Sequence, residues 1–176
     1  MLPLWYSPVY TNGLDPEARF PRDRYRLVRE ALAPEMEDGL IEFREPQEMA
    51  PDELRLVHDE GYIGDFVNGT LDESVVRRIG LRPWTPEIVA RTLVLTGGTI
   101  EATRHAVENR SIAGNLGGGT HHAYRDFGSG YCIFNDLAVA ARVAQRDLGI
   151  RHVTIVDLDV HQGDGTAAIF EGDPTV

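Results

Sequence analysis

A continuous run of β-branched residues, HVTIVD at positions 152–157, places the strongest constraint on the fold. It follows a stretch at positions 136–148 that is rich in Leu, Val and Ala and that ends at Gly149. The sequence therefore predicts a helix followed by a strand. Because a strand that is apolar on both faces is typical of a parallel sheet with helical crossovers, we expect an α/β fold with helices on both faces of the sheet.

Strands and helices are predicted along the rest of the chain as well. The further strands lie at 2–6, 40–43 and 111–115, and the further helices at 21–32, 52–58, 61–67, 85 to about 107, and 166–170. Helix 21–32 is expected to bury an apolar stripe formed by Tyr25, Leu27, Val28 and Leu32. Only residues 71–84 are loop-like, and no linker divides the chain, so residues 1–176 are expected to form a single domain.

The composition argues against several classes of function. A net charge of −11 opposes general affinity for nucleic acid, which needs a basic surface. The charge favours cationic ligands such as lysine side chains or polyamines, although acidity can equally serve solubility alone. No apolar run approaches the roughly 20 residues that span a bilayer, and the N-terminus lacks the features of a signal peptide. Cys132 is the single cysteine, so no internal disulfide can form and a cytoplasmic location is expected.

Polar residues alternate with apolar ones at the end of the predicted strand 152–157. Asp157, Asp159 and His161 are spaced two residues apart, so their side chains project to one side of an extended backbone. Open α/β sheets place their sites at the carboxyl ends of such strands. Two carboxylates and an imidazole clustered there without a partner would be costly, and a divalent cation removes the cost. The set suits zinc, with iron or manganese as alternatives, whereas each residue taken singly could instead cap a helix or lie in a loop.

A second motif, GGGTHH at positions 117–122, combines a glycine run with adjacent histidines. Glycines allow a sharp turn and close approach of the backbone to a ligand, and a turn can aim His121 and His122 into one pocket. Neutral imidazoles are the usual proton carriers in hydrolysis, and a carboxylate behind each would set its tautomer. Asp157 and Asp164 are the available carboxylates, although Asp164 could also cap helix 166–170. A phosphate-binding loop is the alternative for the glycines, but the lysine of such loops is absent.

The two motifs together resemble the zinc-dependent histone deacetylase family, most closely its bacterial members and its class IV branch. The similarity is carried by GNLGGGTHHAYRDFGSGYCIFND at positions 114–136 and by VTIVDLDVHQGDGT at positions 153–166. RFPRDRY at 19–25 and LVHDEGYI at 56–63 give weaker support. The resemblance implies an arginase/deacetylase-like fold, of which residues 1–176 would form the N-terminal part of the catalytic domain.

The resemblance also implies a metal centre. Asp159 and His161 match two zinc ligands of the family, and the backbone around Asp157, Asp159 and His161 resembles its structural potassium site. The family's third zinc ligand, an aspartate, and its oxyanion-stabilising tyrosine are expected beyond Val176. The chain is therefore expected to be a fragment or to be unable to catalyse the reaction as it stands.

Catalytic and substrate-binding roles follow from the same resemblance. His121 would pair with Asp157 and His122 with Asp164, with His122 as the general base that activates the metal-bound water. Gly130 and Tyr131 match the Gly-Phe pair that lines the family's acyl-lysine tunnel. Tyrosine in place of phenylalanine keeps an aromatic wall and adds a hydroxyl group.

The leading hypothesis is zinc-dependent hydrolysis of an acyl amide, either in acyl-lysine proteins and peptides or in small acylated amines such as acylated polyamines. The first alternative is a catalytically inactive module that binds acylated amines. A second is a phosphatase, because Asp157-x-Asp159 resembles the Asp-x-Asp of haloacid-dehalogenase-type enzymes. A cysteine nucleophile, with Cys132 paired to His121, is a third.

Two further segments receive a provisional interpretation from the sequence. His58, within LVHDEGYI, is placed at the end of helix 52–58 and interpreted as structural. Trp84 is interpreted as a packing residue, and the alternative is that Arg82-Pro83-Trp84 forms part of a pocket rim.

Overall fold

The computed structural model describes residues 1–81 and 84–176. The strands in these residues are β1 (Leu2–Trp5), β2 (Ile41–Arg44) and β3 (Gly114–Asn115). The α-helices are α1 (Arg24–Ala31), α2 (Ala33–Glu37), α3 (Glu60–Asn68), α4 (Glu73–Ile79), α5 (Pro86–Asn109), α6 (Asp136–Asp147) and α7 (Asp164–Ile169). Short 3-10 helices lie at Pro8–Thr11 and Pro51–Leu56.

The chain divides into two compact units. The first comprises Met1–Met49 and Arg82–Gly118, and the second comprises Ala50–Leu81 and Gly119–Val176. Every residue predicted to be catalytic, to bind metal or to line the acyl tunnel belongs to the second unit. The single domain expected from the sequence stays a prediction.

A parallel sheet with the order β2-β1-β3 forms the framework of the first unit. β1 runs beside β2, with Leu2 opposite Ile41, and its other edge pairs with the short strand β3. Helix α5 packs on this sheet and buries apolar side chains along its length, including Ile88, Leu93, Leu95 and Ile100. The predicted strands 2–6, 40–43 and 111–115 are thus confirmed, the last reduced to two residues.

Helix α6 provides the apolar core of the second unit. The side-chain oxygen of Asn135 accepts a hydrogen bond from the backbone N–H of Ala138 at 3.0 Å, so the helix begins directly after it. Val139 and Val143, one turn apart, are completely buried. Phe134 packs edge-to-face against Phe66 of α3, with ring centroids 4.8 Å apart. This packing fixes the segment that precedes α6, which contains Gly130 and Tyr131.

The helices in the middle of the chain differ in detail from those predicted. Residues 71–84, predicted as a loop, contain helix α4, which the side chain of Asp72 caps and which ends at Gly80 with φ +81°. In place of the helix predicted at 52–58, the structure has the 3-10 helix Pro51–Leu56, so His58 lies after a helix rather than on one. Of the three residues that the alternative of a pocket rim involves, 82–84, the first two lie outside the described residues.

The helix predicted at 21–32 is shorter than expected and buries less. The structure has α1 at Arg24–Ala31, and α2 starts at Ala33 with Pro34 in its first turn. Only Tyr25 of the predicted apolar stripe is buried, whereas Leu27 and Val28 are 53% and 46% exposed. The predicted stripe was wrong because Tyr25 is the one apolar residue that α1 buries.

The buried strand predicted at 152–157 is also wrong for the described structure. The backbone from Val153 to Val160 is assigned to no strand, and Val156, Leu158 and Val160 are 74%, 90% and 93% exposed. A strand requires a neighbour whose backbone pairs with it, and the described residues supply none along this segment. Among the described residues, a backbone hydrogen bond to this segment is found at Val153, whose N–H donates to the carbonyl oxygen of Thr175 at 2.9 Å.

No helix within residues 1–81 and 84–176 combines the length and the apolar character needed to cross a lipid bilayer.

Candidate functional site

A buried carboxylate holds the backbone just before the paired histidines. Asp136, the first residue of α6, is inaccessible to solvent. Its carboxylate accepts hydrogen bonds from the N–H groups of Gly119 and Thr120, at 3.1 and 2.7 Å, and from the Thr120 hydroxyl at 2.6 Å. The start of a helix favours this negative charge. The turn that carries His121 and His122 is therefore attached to a rigid helix.

His121 forms the first histidine–carboxylate pair of the site. Its Nδ1 lies 2.6 Å from Oδ2 of Asp157, and the His121 side chain is almost completely buried. The hydrogen bond from His121, together with one from the backbone N–H of Asp159, holds the pKa of Asp157 below its ordinary value. Asp157 is therefore ionised and keeps the imidazole in one orientation.

His122 forms a second pair of the same kind. Its Nδ1 lies 2.6 Å from Oδ1 of Asp164, and the Tyr124 hydroxyl donates to Oδ2 of that carboxylate at 3.1 Å. Burial acts to raise the pKa of Asp164, but the hydrogen bonds from His122 and Tyr124 outweigh it, and the pKa is lowered. Helix α7 begins at Asp164 itself with Gly163 as its cap, so the structure does not support the alternative in which Asp164 caps helix 166–170.

Three imidazole rings lie next to one another in this unit. The centroids of His121 and His122 are 4.2 Å apart, and those of His122 and His161 are 5.9 Å apart in an edge-on arrangement. His122 thus lies between a buried histidine and an exposed one. The structure brings together both pairs predicted from the sequence and places them beside the predicted metal ligands.

Asp159 and His161 lie together on the exposed segment that follows Asp157. Asp159 Oδ1 accepts hydrogen bonds from the backbone N–H of His161 at 2.8 Å and from its Nδ1 at 2.9 Å. These two bonds, the backbone one first, hold the pKa of Asp159 below its ordinary value. Contrary to the predicted three-residue cluster, Asp157 is paired with His121 instead of joining these two residues.

The donor chemistry at Asp159 and His161 suits zinc, which binds imidazole nitrogen and carboxylate oxygen. Within residues 1–81 and 84–176, however, no group of three or more histidine, cysteine, aspartate or glutamate side chains is arranged to hold a metal ion. Catalytic zinc sites normally have three protein ligands. The described residues therefore fit zinc in ligand type and fall one ligand short in number.

Gly130 and Tyr131 occupy a tight turn between Ser129 and Cys132, whose backbones form an isolated antiparallel bridge. Both turn residues have positive φ, +54° and +67°. A Cβ atom on Gly130 would lie 2.7 Å from Cδ2 of His122, so only glycine lets this turn lie against the His122 ring. A positive φ is uncommon for a bulky residue such as Tyr131. The side chain of Tyr131 is 40% exposed. The turn thus borders His122, and its role in binding substrate stays a prediction.

Several residues that support the site were not predicted from the sequence. Tyr124, Asp136 and Asn135 all lie inside the motif 114–136, yet only the histidines and the turn were singled out. The Asn135-Asp136 pair directly before an apolar helix is a recognisable helix-start signal. Tyr124 gives no comparable signal, because its partner Asp164 is 40 residues away. Cys132 is buried, and its Sγ donates to the Gly130 carbonyl oxygen at 3.5 Å.

Comparison with known proteins gives a consistent result. The model of the histone deacetylase domain matches residues 18–176. A protein of Picosynechococcus described as uncharacterized is 46% identical over 99% of this chain and 57% of its own length. The acetoin utilization protein AcuC of Bacillus subtilis is 34% identical over 97% of this chain and 46% of its own length. The chain thus spans about half the length of these relatives.

The fold is similar to that of a solved structure. The crystal structure of the HDA15 HD domain superposes with a TM-score of 0.78 and 24% identity, covering 99% of this chain and 51% of that one. The small parallel sheet with its helices therefore has the α/β deacetylase-like fold expected from the sequence.

Proposed function

Because the chain belongs to the histone deacetylase family, we propose that the whole protein is a zinc-dependent deacylase that hydrolyses the amide bond of an acylated amine. The observation that carries the proposal is the pair of adjacent histidines, each held at 2.6 Å by its own carboxylate. Amide hydrolysis needs one group that takes a proton from water and one that gives a proton to the leaving amine. Two oriented imidazoles supply this pair of functions.

The hydrogen bonds determine which nitrogen atoms are available for proton transfer. Ionised Asp157 and Asp164 accept hydrogen bonds from the Nδ1 atoms of His121 and His122, so Nδ1 carries the proton and Nε2 keeps its lone pair. His122 is the better general base because its side chain is 21% exposed, compared with 6% for His121. It also borders both the Gly130 turn and His161.

Asp159 and His161 are proposed as two of the zinc ligands, and the third must come from outside the described residues. When bound at such a site, zinc polarises the amide carbonyl and lowers the pKa of bound water toward neutrality. Asp157 and Asp164 orient the two histidines, and the Gly130 turn borders the space in front of His122. The potassium site implied near Asp157 stays a prediction, testable by elemental analysis of the whole protein.

The proposed substrates are acylated lysine side chains in proteins or peptides and acylated polyamines. The net charge of −11 supports the polyamine class in particular, because an acylated polyamine keeps cationic amines near the acyl amide. The exposed aromatic ring of Tyr131, beside the turn that touches His122, offers an apolar wall for the acyl chain.

The proposal is tested with the whole protein on acetyl-lysine peptides and acetylated polyamines, before and after treatment with a zinc chelator. We expect hydrolysis to be lost on chelation and restored by zinc, and His122→Ala to lower kcat by about 10²-fold or more. His152→Ala, which removes an exposed histidine outside both pairs, serves as the matched control and should retain activity. Activity that survives both thorough metal removal and His122→Ala would overturn the proposal.

A further inference from the structure

His58 is a buried histidine that the proposed chemistry does not use. It follows the 3-10 helix Pro51–Leu56 and is only 3% exposed. Its Nε2 accepts a hydrogen bond from the backbone N–H of Asn135 at 3.0 Å, and its Nδ1 lies 3.3 Å from the carbonyl oxygen of Arg125. Because an N–H group can only donate and a carbonyl oxygen can only accept, His58 must be neutral with its proton on Nδ1.

These two contacts join the ends of one segment, residues 124–135, which we call the site loop. Arg125 lies at its start and Asn135 at its end, directly before α6. The backbone N–H of Asp59 also donates to the Arg125 carbonyl oxygen at 3.0 Å, and the Tyr62 hydroxyl donates to the Ile133 carbonyl oxygen at 2.8 Å. The segment 58–62 therefore holds the site loop at both ends, and the His58 ring bonds to both of them.

Aromatic packing fixes the ring of His58 in this position. Its centroid lies 4.9 Å from that of Phe134 and 6.2 Å from that of Tyr62. Burial lowers the pKa of His58 to about 4, so the neutral form required by both hydrogen bonds is present at neutral pH.

The site loop contacts the His122–Asp164 pair at two points and helix α7 at a third. At its start, the Tyr124 hydroxyl donates to Asp164. In its middle, Gly130 lies against the His122 ring. At its end, the Asn135 side chain donates to the Thr166 hydroxyl of α7 at 2.9 Å. A change in the span between the two loop ends would therefore displace groups on both sides of His122.

We propose that His58 is a positioning residue that sets the distance between the two ends of the site loop and thereby holds Gly130 and Tyr124 against the His122–Asp164 pair. The effect on catalysis rests on the proposed function, whereas the effect on the loop does not. His58 acts on the reaction only through the loop, because its two ring nitrogens are both bonded to backbone groups.

We call the two hydrogen bonds of His58, to Asn135 and to Arg125, the His58 clamp. Two substitutions test these bonds one at a time. In His58→Gln the side-chain oxygen can replace Nε2 and accept from Asn135, and in His58→Asn the side-chain N–H can replace Nδ1 and donate to Arg125. Amide hydrogen exchange of the whole protein, read at Asn135, should accelerate by about fivefold or more in His58→Asn and remain near the wild-type rate in His58→Gln. His152→Gln is the control and should leave Asn135 unchanged.

Steady-state kinetics on the same variants provide a second readout. We expect His58→Asn to raise KM and lower kcat together, because nothing then holds the Asn135 N–H. His58→Gln should recover most of both parameters, because the Asp59 N–H still holds the Arg125 carbonyl oxygen when the bond from the ring is lost. If the proposed deacylase activity is absent from the wild-type protein, the exchange experiment still tests the clamp. Equal exchange at Asn135 in the wild type and in His58→Asn would overturn it, as would equal loss in both His58 variants.

A measurement on the unsubstituted protein covers the case in which His58→Asn fails to fold. The nitrogen chemical shifts of His58 should identify a neutral ring with the proton on Nδ1 and a coupling between Nε2 and the Asn135 amide. A ring protonated on Nε2 cannot accept from Asn135, so that result would overturn the proposal without any variant.

Discussion

The Nδ1 atom of His122 lies 2.6 Å from Oδ1 of Asp164. The other oxygen of this carboxylate accepts from the Tyr124 hydroxyl at 3.1 Å, so both oxygens are engaged and the carboxylate cannot rotate freely. A histidine held in this way has one defined tautomer and a fixed direction for its second nitrogen. The arrangement is that of a proton-transfer group positioned before substrate binds.

Asp164→Asn should remove this control of the tautomer. An amide can present its N–H to Nδ1 of His122, which would then carry its proton on Nε2 and could no longer accept one there. We expect kcat of the whole protein to fall by about 10²- to 10⁴-fold with a smaller change in KM, measured by steady-state kinetics. Asp38→Asn, at an exposed position of the first unit, is the control. A fall of less than about tenfold would contradict the role assigned to Asp164.

Tyr124→Phe should have a smaller effect that depends on Asp164. The substitution removes only the hydrogen bond to Oδ2 and keeps the stacking of the ring on Phe127, whose centroid is 4.5 Å away. We expect kcat to fall by about three- to tenfold, in line with the loss of one hydrogen bond to a charged group. In the Asp164→Asn background the same substitution should have almost no effect. Additive effects in this double-mutant cycle would show that Tyr124 acts through another group.

Acid should destabilise the fold through His58. Its pKa is lowered from 6.5 to about 4 in the folded protein by burial, so the unfolded state binds more protons between these values. The stability is therefore fully present above about pH 6.5 and is lost as the pH falls toward 4, by about 3 kcal/mol when the loss is complete.

Urea unfolding of the wild type and of His58→Gln at pH 7, 5.5 and 4 measures this loss. The wild type should lose more stability than the variant over this interval, because glutamine does not titrate. Asp157, Asp164 and Asp173 have pKa values lowered from 3.8, so their contributions are lost mainly below this window. Parallel curves for the two proteins would show that His58 is already protonated or exposed in the native state.

The extent to which the sequence predicted the molecule differs between its parts. The pairing of His121 with Asp157 and of His122 with Asp164 followed from the family resemblance, and both contacts are present at 2.6 Å. Helix α4 was missed although its signals, Asp72 before the helix and Gly80 after it, stand in the sequence. These helix-end residues, rather than apolar periodicity, mark α4 in the sequence.

Other features could not be read from a local pattern. The β-branched run at 152–157 favours an extended backbone, but local sequence does not specify which strand lies beside it. Val156 is accordingly 74% exposed instead of buried. The hydrogen bond between Tyr124 and Asp164 and the clamp at His58 depend on partners 40 to 77 residues away, which only the folded chain brings together.

Gly130→Ala should lower stability and kcat by more than the backbone strain of a positive φ explains. Gly130 has φ +54°, a conformation that costs an L-residue about 1 kcal/mol, and a Cβ there would also lie 2.7 Å from Cδ2 of His122. Gly172→Ala is a matched control, because Gly172 also has positive φ, +77°, but its Cβ would have open space around it. We expect Gly172→Ala to lose about 1 kcal/mol in urea unfolding and to keep its kcat. Gly130→Ala should lose more stability and, because the His122 ring must move, lose at least about tenfold in kcat. If the two variants lose the same stability and both keep kcat, the Gly130 turn does not fix the position of His122.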